Sequence, residues 1–276
     1  MRVKNIIATI VMAWLSVQVV SIVASAETIT WSGYEWKVRS TDGTAQGPGP
    51  NIFSDSRDNV FVDSKGDLHL RITQREDHKW VAAEIDLTQS LGYGTYQWEL
   101  SSRYDRLPSN VVVGLFTYIS PRSVARQTDG VLGNQKPDTP HEIDIEFTGA
   151  WGDANLFFTT HDPDIKSPGR GFFHAPVNDL TTHRFCWTPK QILWESFAGH
   201  VSSQSEPPTR LTEQRAGPNL GNPVKYAYSG PVIPRDLDEI PIVNFWIFGD
   251  EPSETGPVGG KPQELVVHSF KFTPAA

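Results

Sequence analysis

Apolar residues along this 276-residue chain come in short runs, broken again and again by clusters of Gly, Pro, Asn and Asp. The runs that read as strands are Asn59–Val62, Asp67–Thr73, Gly94–Ser101, Val111–Ile119, Glu142–Phe147, Asn155–Thr160, His183–Trp187, Ile192–Phe197, Ile242–Phe248 and Leu265–Phe272. Several alternate apolar and polar positions, the period of a strand with one buried face. No stretch of about twelve residues keeps apolar positions at i, i+3, i+4 and i+7, so almost no helix is predicted. Many short strands with turn punctuation predict an all-β fold, an antiparallel β-sandwich. Neither an internal repeat nor a low-complexity block is visible.

The connections between runs are uneven. Asp42–Asn51, Ser120–Pro140, Gly199–Gly230 and Asp250–Pro262 are long and rich in Gly, Pro or polar residues. In a compact domain such loops are either plain surface excursions or the walls of a binding site.

Residues 1–26 stand apart from this pattern. Arg2 and Lys4 precede an uncharged run from Ile6 to Val23, and Ala24-Ser25-Ala26 is a small-x-small cleavage site. That order predicts a signal peptide that is removed. Ser16, Gln18 and Ser21 dilute the run and argue against a membrane anchor. Cleavage leaves 276 − 26 = 250 residues, 27–276, expected to form a single sandwich domain. The product would be secreted, extracellular or periplasmic, free of the membrane, and a monomer is expected.

Composition narrows the partner. The formal charge of −8 becomes −10 once Arg2 and Lys4 are lost, and no Lys/Arg patch of the kind a phosphate backbone requires is present. Nucleic acid is therefore excluded as the expected partner. Cys186 is the sole cysteine, so no internal disulfide forms and the core must carry stability unaided.

Candidate chemistry concentrates in His141-Glu142-Ile143-Asp144-Ile145-Glu146-Phe147. Alternation puts Glu142, Asp144 and Glu146 on one face and Ile143, Ile145 and Phe147 on the other. An apolar face is ordinary core. Three like charges along one strand destabilise a sheet, so some other demand must favour them. Glycosidic cleavage with retention is such a demand, since it needs two carboxyl groups about 5–5.5 Å apart. Cα atoms four positions apart lie ~13 Å from each other. A Glu carboxyl reaches roughly 3.5 Å past its Cα, so two Glu leaning inward nearly close the gap, where Asp would fall short. Crowding would also push at least one of the three pKa values up, as an acid catalyst at neutral pH requires. Asp144, between them, would tune its neighbours rather than attack.

Glu142–Phe147, reading Glu-Ile-Asp-Ile-Glu-Phe, resembles the catalytic strand of glycoside hydrolase family 16, in the branch of lichenases and xyloglucan transglycosylases that has no inserted bulge residue before the last Glu. Ala83-Glu84, Gly92-Tyr93-Gly94-Thr95-Tyr96 and Leu115-Phe116-Thr117-Tyr118 precede it in the family's order. His183-Arg184-Phe185-Cys186-Trp187-Thr188-Pro189, Ile192, Trp194 and Asn244-Phe245-Trp246 follow. The resemblance implies a jelly-roll sandwich, like concanavalin A, with an open cleft on its concave sheet. It implies Glu142 as nucleophile, Asp144 as assisting carboxylate and Glu146 as general acid/base, with sugar contacts from Glu84, Phe116, Tyr118, Asn244 and Trp246. Asn244 and Trp246 share a strand face, as do Phe116 and Tyr118; rings there pack in the core or stack on sugar. No cofactor is required, and a structural calcium ion is allowed for, with no ligands marked by the sequence.

The chain also departs from lichenases. Their Trp two residues before the nucleophile is here Pro140, their Arg two after the matching Glu is Asp86, and their Tyr/Phe-x-Asp-Gly is Glu195-Ser196-Phe197-Ala198-Gly199. These changes leave sugar and linkage open. His141, His161, His174 and His183 lack metal-protease spacing and read as strand-end or loop residues, so no metal ligand is assigned. Gly47-Pro48-Gly49-Pro50 is a stiff turn, not a phosphate loop. The sequence thus points first to a retaining endo-hydrolase of β-glucan-type polysaccharides. Its rivals are a transglycosylase using the same intermediate and a carbohydrate-binding sandwich without turnover.

Overall fold

The computed structural model describes residues 27–101, 103, 106–119, 141–151, 154–161, 169–175, 178–201, 224–230 and 233–275. The expected signal peptide, the 120–140 loop with Pro140 and most of the 199–230 connection lie outside these residues.

Two antiparallel sheets account for nearly all of the regular secondary structure described. The first, here the cleft sheet, contains β1 (Thr28–Trp31), β2 (Tyr34–Val38), β6 (Ala83–Leu87), β8 (Val111–Tyr118), β9 (Glu142–Trp151), β10 (Ala154–His161), β11 (Gly169–Phe173) and β15 (Ile240–Ile247). Its order is β1-β2-β6-β15-β8-β9-β10-β11. The second, the back sheet, contains β3 (Val60–Val62), β4 (Leu68–Gln74), β7 (Gly94–Leu100), β12 (Thr181–Thr188), β13 (Gln191–Ala198), β14 (Val224–Tyr228) and β16 (Gln263–Pro274). It runs β14-β13-β12-β7-β16-β4-β3, with the two-residue β5 (Trp80–Val81) beside β4. The one helix among the described residues, α1, is the four-residue Pro252–Thr255. This is the antiparallel β-sandwich that the alternating pattern predicts and the jelly roll that the family resemblance implies.

All ten predicted strands are present, with most ends within two residues of the expected ones and β9 running four residues further, to Trp151. Sequence reasoning passed over β1, β2, β5, β6, β11 and β14. The β1–β2 hairpin did carry a signal: Tyr34, Trp36 and Val38 alternate with Glu35 and Lys37. Its turn, Ser32-Gly33, has φ of 52° and 80°, the positive pair that lets a two-residue loop match strand twist.

One apolar layer lies between the sheets. Trp36, Val113, Leu115, Ile143, Ile145, Phe147 and Phe245 from the cleft sheet meet Tyr96, Trp98, Phe185, Trp187 and Trp194 from the back sheet. Each large ring removes about 150–250 Å² from water, roughly 4–6 kcal/mol of transfer free energy as an upper bound. That layer carries the fold without a disulfide, Cys186 being free and half-buried on the back sheet. No helix among the described residues is long and apolar enough to cross a membrane.

Candidate active site

Strand β9 lies between β8 and β10, well inside the cleft sheet. Its apolar side locks its orientation, because Ile143, Ile145 and Phe147 are fully buried in the layer between the sheets. A one-residue slip would drive carboxylates into that layer, so the register is strongly specified. Glu142, Asp144 and Glu146 therefore face outward together, and all three line one cleft of about 630 Å³.

Neighbouring strands set what each carboxylate meets. Tyr118 and His161 stand opposite Glu142, Phe116 and Thr159 opposite Asp144, and Gly114 and Phe157 opposite Glu146. Beyond β8, β15 places Asn244 beside Gly114 and Ile242 beside Phe116, and β6 then brings Glu84 against Asn244. Gly114 has a steric reason: a Cβ there would collide with Asn244 Oδ1. The missing side chain makes room for the Asn244 carboxamide next to Glu146.

The cleft wall opposite β9 is the loop holding Gln46, Gly47 and Pro48. Asn51 ties it down, its side-chain amide donating to the carbonyls of Pro48, Gly49 and Ile247 at 2.9, 2.6 and 2.8 Å. Arg39 reaches the same loop, donating to Gly47 O at 2.9 Å while pairing with Glu84 at 2.8 Å. Thus the Asp42–Asn51 connection is a wall of the cleft. The long Asp250–Pro262 connection instead folds α1 against β5.

Electrostatics make this a strongly acidic site. Glu84, Asp86, Glu142, Asp144 and Glu146 line it, and among the lining residues Arg39 is the one Lys or Arg. Burial raises the pKa of Glu142 above its ordinary value, and a hydrogen bond shared with Asp144 opposes that rise. A hydrogen bond between two carboxyls needs one proton, so a proton held on Asp144 leaves Glu142 charged. Glu84 is pushed up to about 8, first by burial and then by the charge of Asp86, against the pull of Arg39 and Asn244. The push on Glu142 thus comes from burial more than from crowding along the strand, the cause expected from sequence.

All five expected sugar-contact residues line the cleft, but they differ in reach. Phe116 and Tyr118 are half-exposed. Trp246 is only 8% exposed and packs with Phe53, Ala82 and Val112 under the backbone of Gly49. It borders the cleft more as a buried edge than as an open platform. Glu84 is 5% exposed and occupied by its neighbours: Arg39 on one oxygen and Asn244 Nδ2, at 3.3 Å, on the other. Asn244 is thereby oriented, and its Oδ1 is buried with no hydrogen-bond partner. An acceptor fixed beside Gly114 in this way is suited to a hydroxyl donor.

Other site residues escaped sequence reasoning. His161 does end a strand, yet its Nε2 lies 3.6 Å from Asp144 Oδ2, on the acidic face. His141 is buried, as its alternation predicts, and His183 is a core residue whose pKa burial lowers to about 3, bridging Ser196 and Thr181 at 2.8 and 2.9 Å. Arg39, Gln46, Gly47 and Pro48 had no local signal for the cleft, because loop folding alone brings them there. Past Glu146, Phe157 and the 52%-exposed Phe172 meet edge-to-face at 5.6 Å, extending an aromatic surface toward the sheet edge. A calcium ion takes six to eight oxygen ligands. The two metal-competent groups among the described residues, Glu142/Asp144/His161 and Glu99/His200/His268, both include imidazole, and neither is such a cage.

No family model matches the chain. A β-glucanase of Bacillus subtilis (strain 168) is 29% identical over 195 residues, which is 66% of this chain and 71% of the relative. Among solved structures, a Bacillus licheniformis β-glucanase aligns over 87% of this chain and 92% of its own, with a TM-score of 0.56 and 21% identity. A Mycobacterium tuberculosis protein described as a pseudo β-1,3-glucanase aligns over 87% and 91%, with a TM-score of 0.57 and 18% identity.

Proposed function

We propose that this chain, similar in sequence and fold to the lichenase-like branch of glycoside hydrolase family 16, is an endo-acting hydrolase of a β-glucan-type polysaccharide. The observation that carries this is the Glu142–Asp144–Glu146 face lining the cleft, with its apolar reverse side locked in the core. A binding module has no use for two long carboxylates flanking a buried third. The fold by itself does not decide turnover, since a pseudo-glucanase shares it.

In the proposed cycle Glu142 attacks the anomeric carbon, while Glu146 gives its proton to the leaving oxygen and then takes one from water. Asp144, 4% exposed and bonded to Glu142, holds the proton that would otherwise neutralise the nucleophile. His161 Nε2 is near enough to Asp144 to bias where that proton rests. Gly114, with no side chain of its own, seats the Asn244 carboxamide beside Glu146, where its Oδ1 would accept from a sugar hydroxyl. Neutral sugars suit this cleft, because an anionic chain would meet five carboxylates against Arg39. Hydrolysis is proposed over transglycosylation; product analysis at high acceptor concentration separates the two.

The test is labelling by a mechanism-based fluorosugar, read by intact mass and peptide mapping. One added glycosyl on Glu142 is expected. No adduct, with the sugar still bound, overturns turnover in favour of a lectin. A reducing-end assay across neutral and anionic polysaccharides then identifies the substrate.

A further inference from the structure

We propose that the back sheet carries a binding site for a divalent transition-metal ion such as zinc, formed by Glu99, His200 and His268. These residues come from β7, from the segment just after β13 and from β16, and their donor atoms all lie within 4.8 Å of one another. The site is on the outer face of the sandwich, away from the cleft, and is independent of the function proposed above.

Backbone irregularity puts the third donor in place. Strand β16 pairs Val267 with Leu100 and Ser269 with Glu99, so His268 is an extra residue in a β-bulge. A bulge re-aims a side chain, and here it turns an imidazole outward next to Glu99. His200 is held just as firmly. Gly199 N donates to Leu180 O at 2.6 Å, Thr182 Oγ1 to Gly199 O at 2.8 Å, Val201 N to Thr182 Oγ1 at 3.0 Å, and Gln97 Nε2 to Val201 O at 3.2 Å.

The hydrogen bonds also choose the tautomers. His200 Nε2 sits 3.3 Å from Leu100 O, which only accepts, so Nε2 carries the proton and Nδ1 keeps its lone pair, 3.8 Å from Glu99 Oε2. His268 Nδ1 sits 2.6 Å from Asp67 Oδ1, so Nδ1 donates and Nε2 is the available donor atom. A carboxylate or backbone carbonyl behind each imidazole is the arrangement that orients metal-bound histidines and raises their basicity. Ser269 Oγ donates to Glu99 Oε2 at 2.8 Å and orients that carboxylate as well. The two rings lie nearly parallel, centroids 5.1 Å apart with an interplanar angle of 24°, so one side of the pair can face a common ion. Ligands about 2.0–2.1 Å from one zinc stand roughly 3.3 Å apart, so side-chain closure of about 1–1.5 Å completes three protein positions, with water as the fourth. Two nitrogen donors and one oxygen favour zinc, nickel or copper over calcium or magnesium. The ion would pin β7, β16 and the post-β13 segment together in a chain with one cysteine and no disulfide.

The test is titration of the metal-free chain with Zn²⁺ by calorimetry, with thermal unfolding alongside. Because Glu142, Asp144 and His161 also cluster, the same titration is run on His161→Ala to separate the two groups. Micromolar 1:1 binding that persists in His161→Ala and disappears in His200→Ala and His268→Ala is expected. Asp67→Asn, which removes only the carboxylate behind His268, should weaken binding by about 10–100-fold. Zinc at a hundredfold excess over its Kd should raise Tm by on the order of 5–10 °C, and calcium should not. Binding only in the millimolar range, or binding unchanged by the His200 and His268 variants, overturns the site. If an alanine variant does not fold, the nearly isosteric Glu99→Gln replaces it: loss of micromolar binding supports the site, and unchanged binding overturns it.

Discussion

On the back sheet, Glu195 lies between Arg184 and Lys225, each 2.5 Å away, and Glu264 accepts from both His69 and Arg71. On the cleft sheet, Glu142, Asp144 and Glu146 share one strand face and line a cleft in which Arg39 is the one cation among the lining residues. The pKa directions follow. Glu264 is held below its usual value, the upward push of burial being outweighed by His69 and Arg71, whereas burial raises Glu142 and Glu84. A sheet face built for stability neutralises its acids one by one, because like charges along a strand destabilise it. The cleft face keeps that cost. A face that sacrifices stability so consistently is one where chemistry is the better explanation.

Substitutions should separate the two faces. The largest effect is expected from Glu142→Gln, which removes the attacking charge at equal volume: hydrolysis should fall below detection with an unfolding midpoint at or above that of the parent. Glu146→Ala should lose about 10²–10⁴-fold in kcat/KM and be partly rescued by azide. Near-parental activity in either variant would erase the contrast between the faces. On the back sheet, Glu195→Gln strands the buried Arg184 and should cost about 3 kcal/mol in urea unfolding, while activity per folded molecule is unchanged.

A pH experiment sharpens the same comparison at a third place. Glu239 is 1% exposed, and burial, the leading cause, raises its pKa to about 8. Its folded pKa lies above its unfolded one, so it contributes stability that is complete below the ordinary value of 4.5 and lost as the pH rises through about 8. Glu239→Gln should therefore unfold like the parent at pH 4 and several degrees higher at pH 9. Equal Tm differences at both pH values would show that burial does not govern this carboxyl. The smallest effect is expected from Phe172→Ala: loss of one exposed ring beyond Glu146 should raise KM for long chains by about two- to tenfold, with kcat held. An unchanged KM would end the substrate path at Glu146.

Much of this was legible in the chain. Ten strands, the burial of Ile143, Ile145 and Phe147, and the common face of the three carboxylates follow from period-two alternation. The short β5, β11 and β14 escaped because few residues carry their pattern, and the burial of Trp246 could not be decided locally because a loop, not its strand, covers it. His161 had no local mark at all: it reaches Asp144 only because β10 pairs with β9 in one particular register.

Residue order was enough to say which side chains share a face, since a strand turns each successive residue over and a slip would put charge into the apolar layer. What those side chains meet came from long-range contacts. Gly114 beside Glu146, the loop of Gly47 and Pro48 as a wall, and the bulge that brings His268 to Glu99 all depend on strand pairings and loop closures between residues distant in sequence. Those contacts form through cooperative packing of the whole sandwich, so no local stretch encodes them.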